Sequence, residues 1–131
     1  MSENILSIKL LVTPRTKKNS QRIIIAHGRP MIIPSQLYKD YEKECGYFLP
    51  KLDKPIDYPI NLKCLFYMPS RRKVDLCNLQ EAVCDMLVHH GILLDDNRNI
   101  VASQDGSRVY YDKENPRTEI EISSLDDYKQ W

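Results

Sequence analysis

The sequence lacks several features that would place it in a specialised class of protein. Its 131 residues carry a formal net charge of only +1, so no overall basic field favours nucleic acid. No apolar run approaches membrane-spanning length, and residues 1–4 are not a charged signal-peptide region. The four cysteines form no C-x-x-C pair, which predicts free and mostly buried thiols. We therefore expect a cytoplasmic protein that makes no contact with a membrane.

What the sequence does contain is the pattern of a small globular protein. The hydrophobic content of 42% and charged content of 28% are ordinary, and the length suits one domain. We predict an α+β fold with a mixed β-sheet of about five or six strands and two main helices. The first strand is dense enough in apolar residues to predict an inner position. Apolar periodicity and turn residues predict strands at residues 5–12, 23–26, 31–33, 60–68, 100–103 and 117–123. Residues 108–111 either extend the strand at 100–103 or pair back after the turn at Asp105-Gly106.

Residues 68–99 are the most informative stretch of the chain, because charged side chains flank a clearly delimited helix. The pattern predicts a helix over residues 76–90, with Asp75 as its N-cap and Gly91 just beyond its end. Carboxylates therefore precede the helix and also follow it, where Asp95 and Asp96 stand together. Carboxylate oxygens suit a hard divalent cation, and neighbouring cations suit a phosphate backbone.

This stretch resembles the RusA family of Holliday-junction resolvases, most closely its phage and prophage members. The resemblance implies one RusA-like nuclease domain over residues 1–131, and a homodimer whose two active sites face a four-way junction. The residues that carry it are Met68-Pro69, Arg71-Arg72-Lys73, Asp75-Leu76-x-Asn78-Leu79-Gln80, Asp85, Gly91 and Asp95-Asp96, with a weaker echo in Arg117-x-Glu119-x-x-Ile122.

The resemblance also implies the metal ligands. Asp75 and Asp96 match metal-binding aspartates of the family, which predicts a Mg²⁺ site that Mn²⁺ could also fill. Asp95 is a neighbouring candidate, but adjacent residues of an extended segment point to opposite sides. Only one of the pair is therefore expected at the metal, and the match favours Asp96.

Three positions depart from the family pattern. Cys77 stands where a second aspartate is expected, Glu81 replaces a lysine, and Val74 replaces a possible basic residue. A thiolate is a poor ligand for Mg²⁺. Asn78 and Glu81 are equal candidates to complete the site, Asn78 through its amide oxygen and Glu81 through a carboxylate one helical turn from Cys77. Asp105 is a further possibility.

Basic residues cluster in two stretches, which predicts the DNA contacts. The sequence predicts a polar loop between strands at residues 15–22. The simplest interpretation is that this loop is solvated and has no specific function. The sharper interpretation is a segment that contacts phosphates, because Lys, Arg, Asn and Ser are the usual contacting types. The predicted DNA-binding residues are Lys17, Lys18, Arg22, Arg71, Arg72 and Lys73.

Together with these residues, the resemblance to the RusA family implies a Mg²⁺-dependent endodeoxyribonuclease that resolves Holliday junctions in DNA recombination and repair. Its expected partner is branched DNA. The alternative is a catalytically silent RusA-like protein that binds branched DNA without cleaving it. A third possibility is a small interaction domain with no role on nucleic acid.

Overall fold

The computed structural model describes residues 2–17, 22–33 and 36–125. These residues form seven β-strands and two α-helices. They are β1 (Ser2–Leu10), β2 (Arg22–Ala26), β3 (Arg29–Ile33), α1 (Gln36–Cys45), β4 (Ile60–Met68), α2 (Leu76–His89), β5 (Val101–Ser103), β6 (Arg108–Tyr111) and β7 (Arg117–Leu125). A short 3₁₀ turn, Gly46–Phe48, continues α1.

Five of the strands form a mixed sheet built around β4. The order is β1-β7-β4-β5, with antiparallel pairing from β1 through β7 to β4. Both β5 and β6 run parallel to β4, the first beside Ile60 and Asn61 and the second beside Leu65–Met68. Parallel neighbours need a crossover connection, and α2 supplies it. Strands β2 and β3 form a separate antiparallel hairpin.

The core lies between one face of this sheet and the two helices. Alternate residues of β4 are buried, and they join buried residues of α1 and α2 in a single apolar cluster. Helix α1 also contacts α2 directly, because the hydroxyl of Tyr38 donates a hydrogen bond to the carbonyl oxygen of Ala82 at 3.3 Å. The buried side chains of α2 are Leu79, Gln80, Ala82, Val83, Cys84, Met86 and Leu87.

The predicted α+β class is confirmed, with two helices and a mixed sheet. Helix α2 begins where the sequence predicts and ends one residue earlier, at His89. Gly91 follows with a φ of +75°, the left-handed conformation that glycine adopts without a steric penalty.

The predicted inner position of the first strand is wrong. Among the described residues β1 pairs with β7 alone, which places it at the edge of the sheet. Burial alternates along its second half: Ile8 and Leu10 are buried in the core, while Ser7 and Lys9 are exposed. Burial on a single face is what an antiparallel edge strand allows.

No helix within the described part of the chain is long and apolar enough to cross a membrane.

Candidate active site

Asp75 occupies the position just before α2, but its side chain does not cap the helix. Its backbone is extended, and its carbonyl oxygen accepts hydrogen bonds from the backbone amides of Asn78 and Leu79 at 3.1 and 3.2 Å. Instead, Oδ2 of the Asp75 side chain accepts a hydrogen bond from the side-chain amide nitrogen Nδ2 of Asn78, at 3.3 Å. The residue is exposed, so its carboxylate lies open to solvent beside the first turn.

A cavity of about 430 Å³ lies between the first half of α2 and strand β5. Side chains three and four residues apart share one helix face, which explains why α2 contributes four of the lining residues. Asp96 adds a carboxylate from the loop that follows the helix. The lining residues are Cys77, Gln80, Glu81, Cys84, Asp96, Val101, Ala102, Ser103 and Gln104.

The side-chain carboxyl group of Asp96 has a raised pKa. Loss of hydration raises the pKa of its carboxyl above the ordinary value of 3.8, and a hydrogen bond with Asp95 and the negative charges of Asp85 and Asp95 raise it further. Asp95 itself lies outside the cavity lining, and its Oδ1 accepts a hydrogen bond from the backbone amide of Asp96 at 2.7 Å. The two neighbours thus differ, since Asp96 lines the cavity and Asp95 braces the turn.

Gln80 also lines this cavity, although from the sequence it carries only part of the resemblance and no predicted chemical role. It is only 4% exposed, and neither Oε1 nor Nε2 has a hydrogen-bond partner in the described structure. A buried polar group without a partner costs about 1–3 kcal/mol. The available sequence signal was a polar residue beside Leu79 on the apolar side of the helix.

Asp75, Asn78 and Asp105, the other candidate ligands, are not among the residues that line this cavity. Asn78 binds the carboxylate of Asp75, as described above. Asp105 is exposed, and its backbone amide donates to Oδ1 of Asn61 at 2.8 Å. Glu81 is therefore the replacement candidate that the fold brings to the same cavity as Asp96.

The donor atoms at this cavity fit a hard divalent cation. Asp96 and Glu81 offer carboxylate oxygens, and Gln80 carries an unpartnered amide oxygen in the cavity wall. Mg²⁺ is commonly held by one or two carboxylates and keeps several waters, so a complete protein cage is not needed. Within the residues that the structure describes, no three His, Cys, Asp or Glu side chains are grouped as a ready-made metal site.

A second cavity, of about 290 Å³, brings the two basic stretches together. Arg15 enters it from the loop after β1, while Arg72 and Lys73 enter from the loop after β4. Leu79 forms part of its wall, and the next residue, Gln80, lines the first cavity. The basic cleft and the acidic cavity therefore flank the same turn of α2.

The remaining predicted DNA contacts are distributed unevenly. The guanidinium of Arg71 lies 4.7 Å from the ring centroid of Tyr111. Lys17 pairs with Asp85, with 2.8 Å between Nζ and Oδ2, and also lies 5.3 Å from the ring centroid of Tyr38. Lys18 and the side chain of Arg22 lie outside the described residues.

One known family matches most of the chain. The model of the family described as endodeoxyribonuclease RusA matches residues 12–123. The chain belongs to the RusA family. No curated protein matches the chain by sequence.

RusA membership implies a nuclease of the Holliday-junction-resolving kind, in a family that generally depends on divalent metals. The RusA match includes both the acidic cavity and the basic cleft. Two of the departures from the RusA pattern, Cys77 and Glu81, line the same cavity as Asp96. The substitutions therefore fall where they can alter the chemistry of the site.

Proposed function

We propose that this RusA-family protein is a Mg²⁺-dependent endodeoxyribonuclease that resolves Holliday junctions in DNA recombination and repair. In this proposal residues 1–131 form one nuclease domain of the prophage type, and two copies act together as a homodimer on branched DNA. The observation that carries the proposal is the family match over a helix turn flanked by an acidic cavity and a basic cleft.

In the proposed site, Asp96 holds the cation at the cavity, and Asp75, whose exposed carboxylate lies outside the cavity lining, completes the site from the start of the helix. Asn78 keeps the carboxylate of Asp75 in place through its hydrogen bond. Glu81 adds a carboxylate within the cavity. A bound Mg²⁺ or Mn²⁺ would lower the pKa of a water and neutralise charge on the phosphate. Loss of hydration, followed by the hydrogen bond with Asp95 and the negative charges of Asp85 and Asp95, raises the pKa of Asp96, and a cation beside the carboxylate would stabilise its ionised form.

The basic residues hold the DNA backbone in this proposal. Arg15, Arg72 and Lys73 share one cleft, where their charges can neutralise neighbouring phosphates. Arg71 lies beside them along the chain, and its contact with Tyr111 restricts its orientation. Lys17 acts mainly through its ion pair with Asp85, one of the charges that raise the pKa of Asp96.

A second candidate function is binding of branched DNA without cleavage. It is favoured by Cys77, which offers a soft thiol at the position of a family aspartate, and by Glu81 in place of a lysine. The basic cleft would remain functional in such a protein. Family membership argues against the third possibility, an interaction domain with no role on nucleic acid.

Cleavage of a synthetic four-way junction separates these functions. We expect paired nicks near the branch point with Mg²⁺ or Mn²⁺, no nicks with EDTA, and little cleavage of a linear duplex of the same sequence. Metal-independent binding without cleavage under any cation would establish the silent binder. Absence of preferential junction binding would reject both functions.

A further inference from the structure

The carboxamide of Gln80 is buried but forms no hydrogen bond with the described residues. The residue is 4% exposed, yet both polar atoms of its side chain lack hydrogen-bond partners. Buried polar groups in proteins are nearly always hydrogen-bonded, and the exceptions call for an explanation. Its neighbours on α2 that face the core are apolar, so an apolar side chain would serve packing equally well.

The location of Gln80 suggests what the carboxamide contacts when the site is in use. It lines the cavity that also contains Glu81 and Asp96. The amide atoms are covered in this conformation, so contact with a ligand in the cavity requires the side chain to change rotamer at its inner torsions. Rotation of the terminal torsion then decides whether the oxygen or the nitrogen faces a given ligand. An amide presents one hard oxygen acceptor and one nitrogen donor. A cation and a phosphate oxygen are the matching pair of ligands.

We propose that Gln80 is a further residue of the catalytic centre, with Oε1 facing the divalent cation beside Asp96 and Nε2 donating a hydrogen bond to the scissile phosphate. The inference rests on the proposed nuclease function. It also supplies a phosphate donor in a cavity where the family lysine is replaced by Glu81. The hydrogen bond would act on charge that develops during phosphodiester cleavage.

Gln80→Met tests the cation contact without relying on activity. Methionine has nearly the same shape as glutamine but lacks both polar atoms, so the variant should fold with an unchanged or higher melting temperature. When the metal-free proteins are titrated with Mn²⁺ alone, Gln80→Met should bind Mn²⁺ about tenfold more weakly than the wild type. Tenfold is the lower end of the loss that is typical when a residue supporting a metal site is removed. Gln36→Met is the matched control, because Gln36 is an exposed helix residue bonded to Asp40.

Gln80→Glu separates the oxygen from the nitrogen. Glutamate keeps an oxygen for the cation but loses the donor, so Mn²⁺ affinity should be equal or higher than in the wild type. Junction cleavage at saturating Mn²⁺ should nevertheless fall by roughly a hundredfold, as when one donor to a developing oxyanion is removed. Full cleavage by this variant would overturn the donor role.

The Mn²⁺ measurements also distinguish failure of this inference from failure of the nuclease proposal. A wild-type protein that binds Mn²⁺ but does not cut junctions would reject the nuclease, while weaker Mn²⁺ binding by Gln80→Met would still support the contact. The contact is overturned if Gln80→Met binds Mn²⁺ as the wild type does, or if the wild type binds none. A clearly lower melting temperature of Gln80→Met would also overturn it, because the carboxamide would then have structural partners.

Discussion

Replacing Cys77 by aspartate should strengthen the cation site. The thiol is exposed and lines the same cavity as Glu81 and Asp96. The resemblance to the RusA family places a carboxylate at this position. Cys77→Asp therefore introduces a hard oxygen ligand where a soft sulfur now stands.

The change should have little effect on folding, because its electrostatic contributions nearly cancel. Cys77 lies in the first turn of α2, where a negative charge interacts favourably with the helix dipole by about 0.3–1 kcal/mol. Repulsion from Glu81, four residues away, costs about 0.2–0.5 kcal/mol. Asp96 adds some repulsion across the cavity. We expect the melting temperature of the metal-free variant to change by no more than about 3 °C.

The gain should appear in metal binding. The carboxylates around the cavity repel one another in the metal-free protein, but each of them attracts a bound cation. We expect Cys77→Asp to bind Mn²⁺ at least about tenfold more tightly, which corresponds to about 1.4 kcal/mol. Isothermal titration of the metal-free proteins measures the affinity, and junction cleavage at limiting Mg²⁺ should rise in parallel. Cys77→Asn is the control, since it has the shape of aspartate without the charge.

Three results would each contradict a step of this reasoning. A folded Cys77→Asp that binds Mn²⁺ no more tightly than Cys77→Asn would show that position 77 does not face the cation. A variant that fails to fold would contradict the exposure of the thiol. Tighter binding with slower cleavage would show that the added carboxylate misplaces the cation.

Two further predictions follow from charges around the site. Arg72→Ala and Lys73→Ala should each reduce the slope of the log–log plot of junction affinity against salt concentration by about one. Lys17→Ala should change this slope little, because Lys17 is paired with Asp85. A double-mutant cycle in thermal unfolding should give a coupling energy between Lys17 and Asp85 of about 1 kcal/mol. Without divalent cation, the raised pKa of Asp96 makes the native state bind a proton more readily than the unfolded chain, so stability falls as pH rises from 3.8 through the raised pKa. Asp96→Asn should therefore melt at a higher temperature than the wild type at pH 7 and at the same temperature below pH 3.8, and a lower melting temperature at pH 7 would contradict the shift.

Local signals explain why helix α2 was predictable. Asp75 and Gly91 mark its two ends, and its buried apolar residues recur every three to four positions. Strand β4 has equally clear alternation, and its predicted bounds of 60–68 match the structure. The position of β1 was not predictable in the same way, because edge and inner strands differ in partners that lie far along the chain.

The candidate site depends still more on distant contacts. Asp96 shares a cavity with Glu81, fifteen positions earlier, only because the chain turns back after α2. The pair between Lys17 and Asp85 joins residues 68 positions apart. The burial of Gln80 depends on what packs around that face of the helix. Sequence pattern identified which side chains could do chemistry, while the fold decides which of them meet.

The most direct test of the cation-dependent nuclease compares binding and cleavage in Asp75→Asn and Asp96→Asn. Both variants should bind a four-way junction as tightly as the wild type or more tightly, because each loses a negative charge that would face phosphate. Both should lose cleavage in Mg²⁺, while the control Asp57→Asn, at an exposed position outside the site, should cut normally. Full cleavage by either variant, measured beside a wild type that cuts the junction, would contradict the account.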